Sequence, residues 1–205
     1  MSRSGYYWYV RYLYLFSFLF ILSIQPYAQD KSENEIYSVA IKESLKNRKA
    51  TLKRFRRILI HDSTVSPRSD AILFDFFESL LFSNQVGQDN ENDVKLLLDK
   101  VRADSSQIKL GVKRFKIGFR NMLIKHSELQ RIFDISARDG WREFYMKYPS
   151  SLGFISVSKI IKYKNFAAVY VDYHYGSLGA SGDLYILIFD HNGWRLYTSL
   201  NIYVS

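Results

Sequence analysis

From residue 154 to the C-terminus, apolar and polar positions alternate with a period near two, broken by short polar turns. The pattern predicts four strands, over 154–162, 166–174, 184–190 and 194–204. In the last, Trp194, Leu196, Thr198, Leu200, Ile202 and Val204 fall on one face, and Arg195, Tyr197, Ser199, Asn201 and Tyr203 on the other. Asn192-Gly193 is a two-residue hairpin signal that calls for positive φ at both positions. Upstream the period lengthens to that of a helix. Trp141, Phe144, Tyr145 and Tyr148 share one helical face over 138–148, which Pro149 ends. Helices are also predicted over 35–45, 69–83 and 93–101. The second of these, with Ile72, Leu73, Phe76, Phe77, Leu80 and Leu81, is apolar on most faces and is expected at the centre of the core. Ile58-Leu59-Ile60 reads as a short strand and 112–124 as a longer one. Ser127-Glu128-Leu129-Gln130 reads as a capping box opening a short helix through Phe133. The fold class expected is α+β, with N-terminal helices packed on a C-terminal antiparallel sheet of about four strands. Residues 29–205 are expected to form one domain, mainly helical over 29–110 and sheet-rich over 111–205.

The first 28 residues stand apart from this pattern. Arg3 and Arg11 precede an uncharged run over 12–24, Gln25 and Pro26 break it, and Ala28 supplies a small residue before Gln29. This is the order of a secretory signal, with processing expected near Ala28. The run is short for a permanent bilayer span, although an uncleaved anchor over 6–24 is the alternative. The expected localisation is therefore exported: periplasm, cell envelope or extracellular.

Composition narrows the chemistry. The chain has 205 residues, 47% of them apolar, a formal charge of +9 and no cysteine. It is too apolar for a disordered protein. The missing cysteines exclude disulfides, thiolate metal sites and a Cys nucleophile. Seven basic residues fall between Lys46 and Arg57. Arg48, Lys49, Lys53, Arg54, Arg56 and Arg57 could meet an anionic envelope surface. The plainer reading is a solvated stretch paired with acids such as Asp89, Glu91 and Asp93. No nucleic-acid-binding module accompanies the cluster, so no nucleic acid is expected as a partner.

Candidate sites follow from residue type and spacing. Asp172 and His174 are two apart on a predicted strand and so share a face. With Ser181 in the following loop they are the candidate catalytic set of a hydrolase, although no GxSxG elbow is present. His61-Asp62-Ser63 holds all three triad residue types. Adjacent side chains on extended backbone diverge, however, and a hydrogen-bonded turn is the better reading. Gly176, Gly179 and Gly182 recur every third residue without the lysine or following helix of a phosphate loop. With Tyr175, Trp141 and Tyr145 they are the candidate ligand-binding residues, the aromatic helix face being either core or one wall of a pocket. His61, His126, His174 and His191 are scattered, with no i,i+4 pair. No metal or other cofactor is expected.

The segment from Gly140-Trp141 through Phe144-Tyr145, Tyr148-Pro149 and Gly153, then Ala168–Val171, the Gly176…Gly182 loop, Gly193-Trp194 and the terminal Tyr203-Val204-Ser205, resembles an uncharacterised family of bacterial exported proteins. The resemblance implies export and a shared α+β domain, and brings no activity, substrate or catalytic residue. Similar sequences often carry cysteines where Tyr175 and Gly179 stand, so no thiol role carries over to this chain. The reading reached is an exported, non-catalytic binding or envelope-associated protein. A hydrolase using Asp172, His174 and a loop serine is one alternative, and a membrane-tethered subunit the other.

Overall fold

The computed structural model describes residues 32–46, 57–66, 87–104, 106–110, 115–118, 120–134 and 136–205. The expected signal segment, the apolar helix over 69–83, and Arg48, Lys49, Lys53, Arg54 and Arg56 lie outside the described residues.

Four α-helices and seven strands are described. In chain order they are α1 (32–44), β1 (Arg57–His61), α2 (Glu91–Ala103), β2 (Arg120–Ile124), α3 (His126–Phe133), α4 (Ala137–Lys147), β3 (Ser151–Val157), β4 (Ile161–Tyr163), β5 (Phe166–Gly176), β6 (Gly179–Asp190) and β7 (Gly193–Val204). The strands form one sheet in the order β2-β1-β3-β5-β6-β7, with β4 also pairing with β5. β1 runs parallel to both β2 and β3, and every other pairing is antiparallel. The fold is thus mixed α+β, but two expectations are corrected. The sheet has seven strands rather than four, because β1 and β2 extend it on the β3 side and the strand expected over 154–162 is divided into β3 and β4. The helices are not all N-terminal, since α3 and α4 lie between β2 and β3.

The sheet is covered on both faces. On one, Ile36, Tyr37, Ala40, Ile41 and Leu45 of the α1 segment pack on Ile58 and Ile60, Ile155 and Val157, Val169 and Val171, and Leu187. On the other, α2 lays Val94, Leu97, Leu98 and Val101 over Phe166, Ala168, Leu184, Ile186 and Leu200. Beside α2 on that second face, α3 and α4 bury Leu129, Ile132, Trp141 and Phe144 against Leu59, Ile124 and Phe154. Coverage on both faces explains why β5 reads Phe-Ala-Ala-Val-Tyr-Val without alternation. Among the described residues no helix is long and apolar enough to cross a membrane.

Local chemistry accounts for the remaining departures from the predicted elements. The strand expected over 154–162 is split because Ser158 replaces a ladder contact with its side chain, its hydroxyl accepting from the Tyr170 amide at 2.9 Å. The strand expected over 112–124 is cut to β2. The Asn121 carboxamide ties both the amide and the carbonyl of Phe115, so Phe115 and Ile117 reach the core from irregular backbone. α3 is not opened by Ser127. Its first amide, that of His126, donates at 2.9 Å to the carboxylate of Asp62, at the end of β1. α4 begins earlier than 138 and is capped by Ser136, whose hydroxyl accepts from the Asp139 amide.

The C-terminal hairpin turns through His191 and Asn192, with Asp190 opposite Gly193. Only Gly193 has positive φ, at 104°, so the connection is a turn followed by a glycine bulge. Register between β6 and β7 also slips between Gly182 and Asp183 and between Ile186 and Leu187, leaving Ile202 and Tyr197 as extra residues in β7. The single face expected for Trp194 through Val204 is therefore not kept. Trp194 and Leu196 join the α1 side, whereas Leu200 and Ile202 join the α2 side.

Candidate functional site

A row of polar side chains crosses the sheet on the face carrying α2, α3 and α4. Ser156 of β3 is paired with Asp172 of β5, and Asp172 with Gly182 of β6, which faces Tyr203 of β7. His61, the last residue of β1, follows the Ile60–Ile155 pair and so comes beside Ser156. The parallel pairing of β1 is what brings a residue from the first third of the chain into this row.

Asp172, Tyr203 and His61 of the row are held by side-chain contacts. Asp172 and His174 share a face, as their spacing requires, and His174 Nε2 lies 3.1 Å from Asp172 Oδ2. The Tyr203 hydroxyl donates to the other oxygen, Asp172 Oδ1. His61 Nε2 lies 3.0 Å from His126 Nδ1, so one proton is held between the two rings. That contact depends on the Asp62 cap, which fixes the backbone of His126 at the start of α3.

Four rings stack in sequence beside this row. Tyr145 lies on Trp141 with centroids 5.5 Å apart, Trp141 on Phe154 at 5.7 Å, and Phe154 on His174 at 4.7 Å, with interplanar angles of 28°, 19° and 20°. The Tyr145 hydroxyl donates to the Tyr175 carbonyl at 2.9 Å and fastens α4 to the end of β5. Across the helix pair, the Glu128 carboxylate accepts from the Tyr148 hydroxyl and the Lys147 ammonium. Those donors, Lys147 first, hold the Glu128 carboxyl below its ordinary range.

Between these parts lies a cleft of about 380 Å³ with mainly apolar walls. Its floor is His61, Phe154, Ser156 and His174, and α3 and α4 wall it with His126, Leu129, Phe133 and Trp141. His61 is 6% exposed, and its Nδ1 has no hydrogen-bond partner among the described residues. Burial pushes the His61 imidazole below its ordinary value of 6.5; His126 and His174 act in the same direction and Asp62 opposes them. The folded protein therefore holds a proton at His61 less readily than the unfolded chain does. The resulting stability is fully present above pH 6.5 and is lost as pH falls through that value toward the lower folded one. Between about pH 7 and 5, the thermal midpoint of the wild type is expected to fall more steeply than that of His61→Gln. Parallel curves would contradict this.

The structure brings together Asp172, His174, Trp141 and Tyr145 from the candidates read in the sequence. It does not bring Ser181 to them. Ser181 is paired with Tyr173, points to the opposite face, and lines a separate polar depression of about 450 Å³ with Glu43, Asp183 and Asn201. The expected glycine loop is a tight hairpin. Gly176 pairs with Gly179 around Ser177 and Leu178, and Gly179 leaves room for the Tyr175 ring, while Gly182 leaves room for the Tyr170 hydroxyl and Tyr203. None of Tyr175, Gly176, Gly179 and Gly182 lines the cleft. Arg57 opens β1 and donates to the Pro149 carbonyl at 3.0 Å. Of the acids suggested as partners of the basic stretch, Asp93 pairs with Lys164 at 2.7 Å.

His61, His126, Ser156, Phe154 and Tyr203 were not singled out as site residues by spacing, and the only signal for the first two was their residue type. Of Asp62, Ser63 and Thr64, read as a hydrogen-bonded turn, only the Ser63–Asp62 bond at 3.2 Å is local; Asp62 otherwise accepts from the His126 amide, and Thr64 from the Ile108 amide at 2.7 Å, so the segment is held mainly by distant parts of the chain. Among the described residues no group of three His, Asp or Glu side chains is arranged to hold a metal ion. No protein-family model, curated protein or solved structure matches the chain.

Proposed function

We propose that the chain is an exported, non-catalytic binding protein whose ligand is a small, mainly apolar molecule seated in the cleft between the sheet and α3–α4. The observation that carries this reading is the stack of Trp141, Phe154 and His174 along a mainly apolar cleft of about 380 Å³, a size within the roughly 300–1,000 Å³ range of small-molecule sites. Aromatic faces supply dispersion and stacking to a flat ligand, and a few histidines at the floor fix its orientation. Export rests on the order of Arg3, Arg11, the uncharged run and Ala28. Association with an anionic envelope surface through Arg48, Lys49, Lys53, Arg54, Arg56 and Arg57 belongs to the same proposal, with a membrane-tethered chain as its variant if processing near Ala28 does not occur.

Titration with the neutral dye N-phenyl-1-naphthylamine tests the cleft. The wild type is expected to raise dye emission saturably at one site. Ser156→Phe, which adds a ring to the floor, is expected to abolish that rise while the cooperative thermal transition is kept. Undiminished dye binding by the filled variant would contradict the reading. One observation favours a hydrolase instead, the 3.1 Å approach of Asp172 to His174. The serine on their face is Ser156, not Ser181. p-Nitrophenyl esters cleaved by the wild type and not by His174→Ala would replace the binding reading with that one.

A further inference from the structure

We infer that the cleft is opened by acid through the His61–His126 pair, whose full protonation releases the first turn of α3 from β1 and lets the ligand go. This rests on the binding reading above and names how that site is regulated. The pair ties the floor of the cleft to its α3 wall. His61 Nε2, at the end of β1, lies 3.0 Å from His126 Nδ1, and His126 and Leu129 of α3 line the cleft. A contact of that length holds a single proton between the two nitrogens. Two imidazolium rings would set N–H against N–H and charge against charge across it. His61 cannot take up the second proton in place. Its ring is 6% exposed, and its Nδ1 is enclosed with no hydrogen-bond partner among the described residues, so a charged ring would hold a buried N–H unbonded.

The surrounding charges give little relief. His174 of β5 acts against a charge on His61 and Asp62 favours it, while Asp172 is engaged by His174 and Tyr203. Lys125, just before His126, adds positive charge, as does the amino end of α3 itself. Among the described residues no acid, lysine or arginine lines the cleft. Burial keeps the closed pair from charging at the ordinary histidine value of 6.5, whereas His61 freed from α3 faces water and titrates there. The released form therefore holds more protons below pH 6.5, and falling pH moves the equilibrium toward it. α3 does not leave altogether. Glu128 joins it to Lys147 and Tyr148 at the end of α4, and that carboxyl, held below its ordinary range, stays ionised while the histidines charge. The α4 side of α3 is thus the pivot and the β1 side the opening edge.

The test follows amide hydrogen exchange, corrected for its intrinsic pH dependence, and the affinity for N-phenyl-1-naphthylamine, both on the full-length protein between about pH 7 and 5. Protection of the α3 amides is expected to fall by roughly tenfold over that range, a one-proton difference setting a ceiling of about tenfold per pH unit. Amides of β5 and β6 are expected to keep theirs, and dye affinity to weaken in step with α3. In His126→Gln the carboxamide can accept from His61 Nε2–H or donate to bare Nε2, so its α3 protection and dye affinity are expected to stay level with pH. Constant α3 protection in the wild type, an equal fall in His126→Gln, a fall shared by β5 and β6, or dye affinity that ignores a loosened α3 each overturns the inference while leaving the cleft as a binding site. If the dye does not bind at pH 7, the binding reading falls and the inference with it. Should His126→Gln fail to fold, the wild-type profile of α3 against β5 and β6 decides the question on its own.

Discussion

Replacing Phe144 with Ala is expected to lower the stability of the protein by about 3–5 kcal/mol, read as a fall in the urea midpoint at unchanged slope. Phe144 is 0% exposed and is the ring around which α4 is built. Trp141, Tyr145 and Tyr148 meet it from α4 at 5.1, 5.3 and 5.4 Å, Phe154 from the sheet at 5.8 Å and Phe133 from α3 at 6.2 Å. Rings locked against one another on three elements cannot close over the space that a truncated side chain leaves, so the cavity persists and adds to the lost transfer energy. Because Trp141 and Phe133 are cleft walls, dye binding is expected to weaken together with stability. A change below about 1 kcal/mol would mean that α4 does not pack on the sheet as described.

The second large effect is expected from Gly153→Ala, at about 3 kcal/mol or more. Gly153 has φ of 112°, and a Cβ built on it would stand 2.0 Å from the His174 carbonyl oxygen and 3.0 Å from the Tyr175 Cα. Both obstacles are backbone atoms of β5, which is bonded to β3 on one side and β6 on the other and cannot move aside. The substitution thus combines an unfavourable backbone conformation with a clash that separates β3 from β5. It also displaces the residue that carries the imidazole of the cleft floor. The expected readouts are a lowered thermal midpoint and loss of dye binding even at temperatures where the variant is folded. Retention of wild-type dye affinity would contradict the coupling between Gly153 and His174.

The parts of the fold that were legible in the sequence are those written by near neighbours. β5, β6 and β7 are joined by hairpins, and period-two patterning with glycine turns identifies them over a few residues. The aromatic spacing of α4 and the apolar stripe of α2 are likewise local. Asp172 and His174 could be placed together because the strand period alone puts them on one face. The rest depended on information that no short window holds. Ile58-Leu59-Ile60 reads as a strand, yet nothing nearby indicates that its neighbours are 120–124 and 151–157, since parallel partners are joined by long crossovers. His61 and His126 meet only as a result of that pairing, and α3 is capped by Asp62 rather than from its own sequence. In β7 the alternation was real but was interrupted by two extra residues: Tyr197 transferred Leu200 to the other side, and Ile202 returned Val204 to the first. Ser181 illustrates the same limit. Its distance along the chain from His174 is short, and the intervening hairpin turns it through the sheet.

The parallel placement of β1 bears on how the molecule assembles. Arg57 at its start bonds to the carbonyl of Pro149, 92 residues further on, whereas β6 and β7 are joined through the two residues His191 and Asn192. Closing the short hairpins costs little chain entropy and is fast, and closing the long loop is slow and rewarded only when both ends are in place. The C-terminal meander can therefore form early and offer β3 as a template on which β1 docks late, carrying His61 with it. A ligand seated in the cleft, whose floor includes His61, would bind only chains that have completed this last closure.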